Sequence, residues 1–211
     1  MGTKERRARE KVETRDLILA AAREMFASDG VEAVTMRAIA DRIEYTPTAL
    51  YHHFPSKQAL LTELCERDFA SLAQHFRGKP VPADPIERLY GIGDAYLQFA
   101  VEHPAQYRFM FMTVLPPLEH AEGFVEETRE DPERNAYLVL RAACEAVIKT
   151  GRLRPEYQDP DQVAQIFWSM THGLISLQIV KHSQEFVTWR DLRETVGVAS
   201  RTLMNGFLRE P

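Results

Sequence analysis

Cysteine is nearly absent from this 211-residue chain. Cys65 and Cys144 are the only two, too few for a disulfide scaffold or a four-cysteine metal site. Long apolar runs are missing as well. The densest patch, Phe109 to Leu118, falls short of the ~18 residues a membrane-spanning helix needs and contains two prolines, so no membrane partner is expected. The opening MGTKERRARE lacks the apolar core of a secretory signal, and Arg6 stands where a myristoylation signal wants Ser or Thr. Neither a phosphate-binding loop, a zincin motif nor a Gly-x-Ser-x-Gly elbow occurs, which leaves catalysis without support and no cofactor expected. Alternating polarity, the mark of a half-buried strand, is absent, and no internal repeat is seen. With 45% hydrophobic and 27% charged residues, what remains is a globular, cytoplasmic, all-α protein.

Charge is unevenly spread. Residues 1–57 carry ten Lys/Arg against nine Asp/Glu, while the other 154 residues carry 16 against 22. The excess is sharpest within 1–15, where Lys4, Arg6, Arg7, Arg9, Lys11 and Arg15 face only Glu5, Glu10 and Glu13. A basic arm on an acidic protein suggests a polyanion partner for that end alone, although a solvated disordered tail fits the same residues.

Apolar residues from Arg15 to Ser28 fall in pairs every four positions (Leu17/Ile18, Ala21/Ala22, Met25/Phe26), which predicts an amphipathic helix capped by Thr14 and ended at Gly30. A short helix follows, with Thr35 as its cap and Ile39, Ala40 and Ile43 on its apolar face. Thr46-Pro47 starts a third, which stops by Phe54 because Pro55 disfavours helical geometry in the residue before it. Ser56 then caps a longer helix to about Phe76, a natural lever between the two halves of the chain. The stretch Gly78 to Pro85 breaks it. Beyond lie helices at about 84–102, 104–112, 131–150, 160–183 and 188–209, with a loop over 113–130.

Two short helices joined by a tight turn and packed on a longer one describe a helix-turn-helix. The third helix is unusual for its size. Leu50 and Phe54 suffice to anchor it, and Thr48, Tyr51, His52 and His53 give it hydroxyls and imidazoles suited to phosphate oxygens and base edges. Lys57 opens the next helix, where a phosphate gains from the ammonium and from free backbone N–H groups.

The stretch Thr35-Met36-Arg37-Ala38-Ile39-Ala40, followed by Thr46-Pro47-Thr48-Ala49-Leu50-Tyr51-His52-His53-Phe54-Pro55-Ser56-Lys57-Gln58-Ala59-Leu60, resembles the DNA-binding domain of the tetracycline-repressor (TetR) family. The resemblance covers about residues 12–62 and is most specific in Leu-Tyr-x-x-Phe-Pro-Ser-Lys. In the second half, Trp168-Ser-Met-Thr-His172-Gly173 resembles the Trp-His-Gly element of one C-terminal subclass. The resemblance implies an all-helical homodimer: a three-helix DNA-binding domain in residues 1–57, then a larger effector-binding and dimerisation domain in 58–211. It implies that Thr35 meets a phosphate and Arg37 a base or phosphate. It also implies that Thr46, Pro47 and Thr48 open the recognition helix, that Tyr51, His52 and His53 face DNA, and that Lys57 anchors a phosphate. Two positions depart from the family pattern. Glu44 stands where the turn usually has Gly, which calls for a left-handed residue or a shifted turn, and His53 replaces an aromatic.

A metal at His52/His53 is disfavoured because adjacent helical residues point ~100° apart, and His182 with Glu185 suits a helix end better than a metal. The implied effector is small and apolar or aromatic, with a pocket expected among Tyr96, Phe99, Tyr107, Phe111, Gln165, Trp168, Thr171 and His172, although plain core packing accounts for the same rings. The dimer is expected through the last two helices, by Phe167, Met170, Leu174, Leu177, Val196, Leu203 and Phe207. The expected function is a ligand-responsive repressor that binds a palindromic operator in double-stranded DNA. A helical enzyme or carrier with a vestigial helix-turn-helix is the alternative, and a nucleoid protein sits poorly with a pI of 5.8.

Overall fold

Short polar side chains set most helix starts in this chain, and their hydrogen bonds can be followed one by one in the computed structural model, which describes residues 2–78, 81–116, 130–181 and 187–209. The helices are α1 (Thr3–Asp29), α2 (Met36–Arg42), α3 (Pro47–His53), α4 (Lys57–Arg77), α5 (Pro85–Glu102), α6 (Pro104–Met112), α7 (Ala136–Lys149), α8 (Pro160–Lys181) and α9 (Leu192–Phe207). Thr35 Oγ1 accepts from Ala38 N at 3.1 Å, Thr46 Oγ1 from Ala49 N at 3.2 Å and Ser56 Oγ from Ala59 N at 3.0 Å. Each satisfies one backbone donor that a helix start leaves unpaired. Asn135 and Asp191 do the same for α7 and α9. The only β pairing among the described residues is an isolated bridge between Leu153 and Leu208, so the fold is all-α.

Three boundaries differ from the sequence reading. The basic arm is no tail: α1 runs from Thr3, with Arg6–Glu10 and Arg9–Glu13 paired one turn apart. Thr14 consequently lies inside the helix, its hydroxyl donating back to the Glu10 carbonyl at 2.8 Å instead of capping a start. α7 begins at Ala136 and not at 131, because Asp131 Oδ1 accepts from Glu133 N in a turn and Asn135 Oδ1 then accepts from Tyr137 N as the cap of the helix. α9 begins at Leu192 and not at 188, since Asp191 is its cap. Most of the expected 113–130 loop, and both His182 and Glu185, lie outside the described residues.

Packing divides the chain into two compact units, Met1–Phe69 with His103–Glu127 and Ala70–Glu102 with Thr128–Pro211. These units cut the chain elsewhere than the division expected at residue 57. In the first unit α1 packs on α2 and α6, and α2 on α3. Its core takes Ile18, Leu19, Ala22 and Phe26 from α1, while Leu17 turns outward. Phe26 stacks on Phe109 of α6 with ring centroids 6.1 Å apart. In the second unit α5, α7, α8 and α9 surround a core that includes Leu89, Ile92, Leu140, Val147, Phe167, Met204 and Phe207.

Candidate nucleic-acid interface

α2 and α3 divide their side chains sharply. Ile39, Ala40, Leu50 and Phe54 are buried without solvent contact, and Thr35, Arg37, Thr46, Thr48, Tyr51 and His52 are exposed. Pro47 and Lys57 are half-buried at the first positions of α3 and α4. A seven-residue helix held by two apolar anchors thus presents hydroxyls, a phenol and an imidazole outward, a donor and acceptor set suited to base edges and phosphates. Arg37 reaches Asp41 one turn on at only 4.0 Å, with its side chain 83% exposed, so it stays available to an anion. The turn between the helices uses Glu44 at φ +60°, the one non-glycine residue with positive φ among those described. The chain therefore makes the left-handed turn expected at this position and bears its steric cost.

His53 behaves differently from its neighbour. It is half-buried, its Nδ1 is sealed from solvent without a hydrogen-bond partner, and burial, then the charges of Arg15, Lys11 and His52, hold it below the ordinary imidazole range. Its ring is therefore less open to solvent than that of His52.

Arg15 carries a positioning role that sequence spacing did not reveal. Its guanidinium lies 4.1 Å over the Phe54 ring, donates to the His53 carbonyl at the end of α3, and forks onto Glu63 of α4. A cation at a helix C-terminus satisfies a free carbonyl and the dipole together. Burial alone would raise the Glu63 carboxyl, but the Arg15 hydrogen bond and the charges of Arg15 and Arg67 bring it below its ordinary value. Arg67 ties Glu63 to Asp16, and Arg23 grips the fully buried Asp68 through two 2.7 Å hydrogen bonds while Gln106 adds a third at 2.9 Å. Apart from the Glu63–Arg67 pair, one turn apart on α4, these links span 38 to 51 residues of sequence, and no local pattern announces them.

The expected effector residues fall into two groups. Tyr107 and Phe111 belong to the first unit, where their rings lie 5.3 Å apart and Phe111 meets Phe69 edge-on. In the second unit Trp168 Nε1 donates to Tyr96 Oη at 3.2 Å, and Tyr96 Oη lies 3.1 Å from His172 Nδ1. Burial lowers the His172 pKa, which favours the neutral ring. Phe99 is fully buried against His75, and exposed Gln165 hydrogen-bonds Tyr137. Thr171 is buried, and its hydroxyl donates to the Phe167 carbonyl at 2.9 Å.

Residues 18–64 match the family described as bacterial regulatory proteins, tetR family, and residues 89–196 match the tetracyclin repressor-like C-terminal domain. The chain belongs to the tetR family. That family is one of regulatory proteins and not of enzymes. Among curated relatives, the HTH-type transcriptional regulator UidR of Escherichia coli K12 is 38% identical over 77 residues, 36% of each chain. The chain spans about half the length, or less, of the first curated relatives it matches. Among solved structures, the ketosteroid transcriptional regulator KstR2 of Mycobacterium tuberculosis superposes with a TM-score of 0.63 at 23% identity, covering 93% of this chain and 96% of that one. SmeT, solved as a complex with triclosan, gives 0.65 at 20%, covering 94% and 93%. At these identities both structures establish a shared fold.

Three of the residues expected at the dimer interface are corrected: Phe167, Val196 and Phe207 are buried within the second unit itself. Leu177 is 55% exposed, Met170, Leu174 and Leu203 are half-buried, and Val180 and Val198 also face out. α8 is the one described helix long and apolar enough to cross a membrane by length and composition, yet only 28% of its most apolar stretch is buried.

Proposed function

We propose that this chain is a ligand-responsive, DNA-binding transcriptional repressor, acting in the cytoplasm as a homodimer that leaves a palindromic operator when a small effector with an apolar or aromatic body binds. The outward polar face of α2 and α3 carries this reading. Thr35 and Lys57 hold phosphates at the starts of α2 and α4, and Arg37 reaches a base or phosphate. Thr46 and Pro47 set the entry of α3, and Thr48, Tyr51 and His52 enter the major groove. His53, at the end of α3, faces the DNA backbone. Lys4, Arg7 and Lys11 follow one another along α1 at spacings of three and four, and the Lys11 charge is felt at His53, so the basic start of α1 reinforces the same electrostatic face.

The second unit supplies the other two roles. Met170, Leu174 and Leu177 of α8 with Val198 and Leu203 of α9 form the self-complementary face of the dimer, consistent with the apolar surface α8 leaves uncovered. Trp168 and His172, one turn apart and both joined to Tyr96, support a C-terminal domain of the Trp-His-Gly type. Effector binding to one of two conformations shifts their populations, and release follows if that conformation mismatches the operator. A fold neighbour holds a small molecule, triclosan.

The test is retention of fragmented genomic DNA at moderate salt, followed by sequencing of what is kept. Enrichment of a few sites with inverted half-sites supports the reading. Uniform retention, or none, contradicts it.

A further inference from the structure

A recess of about 350 Å³ opens in the second unit between the end of α4, the first half of α5 and α7. It is lined by none of the aromatic residues singled out from the sequence. Phe76, Ile92, Leu138, Val139 and Ala142 form apolar walls, and its base is continuous with the core, since Ile92 and Ala143 are core residues and Phe76 and Val139 pack against them. Gly91 leaves space on its side: a Cβ built there meets no atom within 4 Å. The volume lies in the range that small ligands use.

Two arginines border this space, and they differ. Arg77 is engaged by Glu133, through an ion pair at 2.6 Å and a hydrogen bond to its carbonyl at 3.1 Å. Arg88 sends one terminal nitrogen to the Pro82 carbonyl at 3.2 Å, but its Nε–H is buried with no hydrogen-bond partner. Arg88 nevertheless lines the recess, and a guanidinium that keeps an unmatched donor has hydrogen-bonding capacity left for an acceptor that arrives with a ligand. A guanidinium offers adjacent N–H groups in a fixed fork, and the acceptor that matches it best is a carboxylate. In the Tyr96–Trp168–His172 cluster, by contrast, the indole N–H, the phenol and one imidazole nitrogen already engage one another.

We propose that this recess is a ligand site for a small amphipathic acid, with a carboxylate on Arg88 and an apolar body lying over Gly91 against Phe76, Ile92, Leu138 and Val139. Its role as the effector site rests on the repressor reading above, whereas binding itself does not.

Calorimetry on the full chain without DNA separates the two. The probes are decanoate and 2-naphthoate, each set against its neutral counterpart, decan-1-ol and 2-naphthalenemethanol. At least one acid is expected to bind about tenfold more tightly than its alcohol, a preference that Arg88→Met removes. Gly91→Leu, which places a side chain in open space and favours the helix, is expected to abolish binding of acid and alcohol while circular dichroism stays that of the native protein. Tyr96→Phe is the control and is expected to bind as the native chain does. Equal binding of acids and alcohols, binding that survives Arg88→Met and Gly91→Leu, loss with Tyr96→Phe alone, or no binding at all would overturn the proposal. Failure here with selective DNA retention intact leaves the repressor reading standing.

Discussion

Asp68 offers the sharpest test of how the DNA-binding helices are supported. Its carboxylate has no solvent exposure, Arg23 is 17% exposed, and both carboxylate oxygens accept from Arg23 at 2.7 Å while Oδ1 also accepts from Gln106 Nε2 at 2.9 Å. Asp68→Ala removes the anion that pairs with Arg23 and leaves that guanidinium, 17% exposed, without its carboxylate. Breaking a buried pair from one side typically costs about 3–5 kcal/mol, far more than the pair contributes against an apolar substitute. The single variant should therefore lose about that much in urea denaturation of the intact chain. Arg23→Met combined with Asp68→Leu, which removes both charges and keeps side-chain volume, should recover most of the loss. The difference between single and double variants isolates the stranded charge from lost packing. A cost below about 1 kcal/mol for Asp68→Ala, or a double variant no better than the single, would refute the reasoning.

Three further outcomes are expected. Glu44→Gly should raise stability by about 0.5–1 kcal/mol, because relief of the positive φ outweighs the backbone entropy of glycine, while Glu44→Val should lower it, both read by thermal denaturation. Leu177→Glu, at a side chain already 55% exposed in the single chain, should leave the fold intact and yield monomers in analytical ultracentrifugation; a persistent dimer would move the interface elsewhere. His172 is held low by burial, and His53 by burial and its cationic neighbours, so the unfolded chain binds protons more readily than the native one. Their contribution to stability is present above about pH 6.5 and is lost as pH falls below it, and His172→Gln should narrow the gap in Tm between about pH 5.5 and about pH 7.5.

Local chemistry was legible in the residues. Thr35, Thr46 and Ser56 announced their helices because a cap acts within three residues of itself, and Glu44 announced its left-handed turn because the family pattern has Gly there. The basic arm was ambiguous because net composition hides the one-turn Arg–Glu spacing that lets α1 start at Thr3. Helical periodicity placed Phe167, Val196 and Phe207 on apolar faces correctly, but a period states only that a face is covered. It does not distinguish the unit's own core from a second chain. His53 looks like His52 in sequence, and the Arg15 charge that helps to lower its pKa comes from 38 residues away. The orphaned donor of Arg88 is a tertiary property with no sequence signature at all.

The central claim is that the exposed face of α3 reads DNA while Lys57 grips its backbone. Titrating one selected operator, and a set of its single-base variants, over a range of salt concentrations with the native chain, Lys57→Ala and Thr48→Ala tests that division directly. Lys57→Ala should weaken binding to every variant alike and flatten the plot of log affinity against log salt by about one unit. Thr48→Ala should keep the slope and change the order in which the base variants are preferred. An unchanged slope in the first, together with an unchanged order in the second, would contradict the assignment of α3 as the recognition helix.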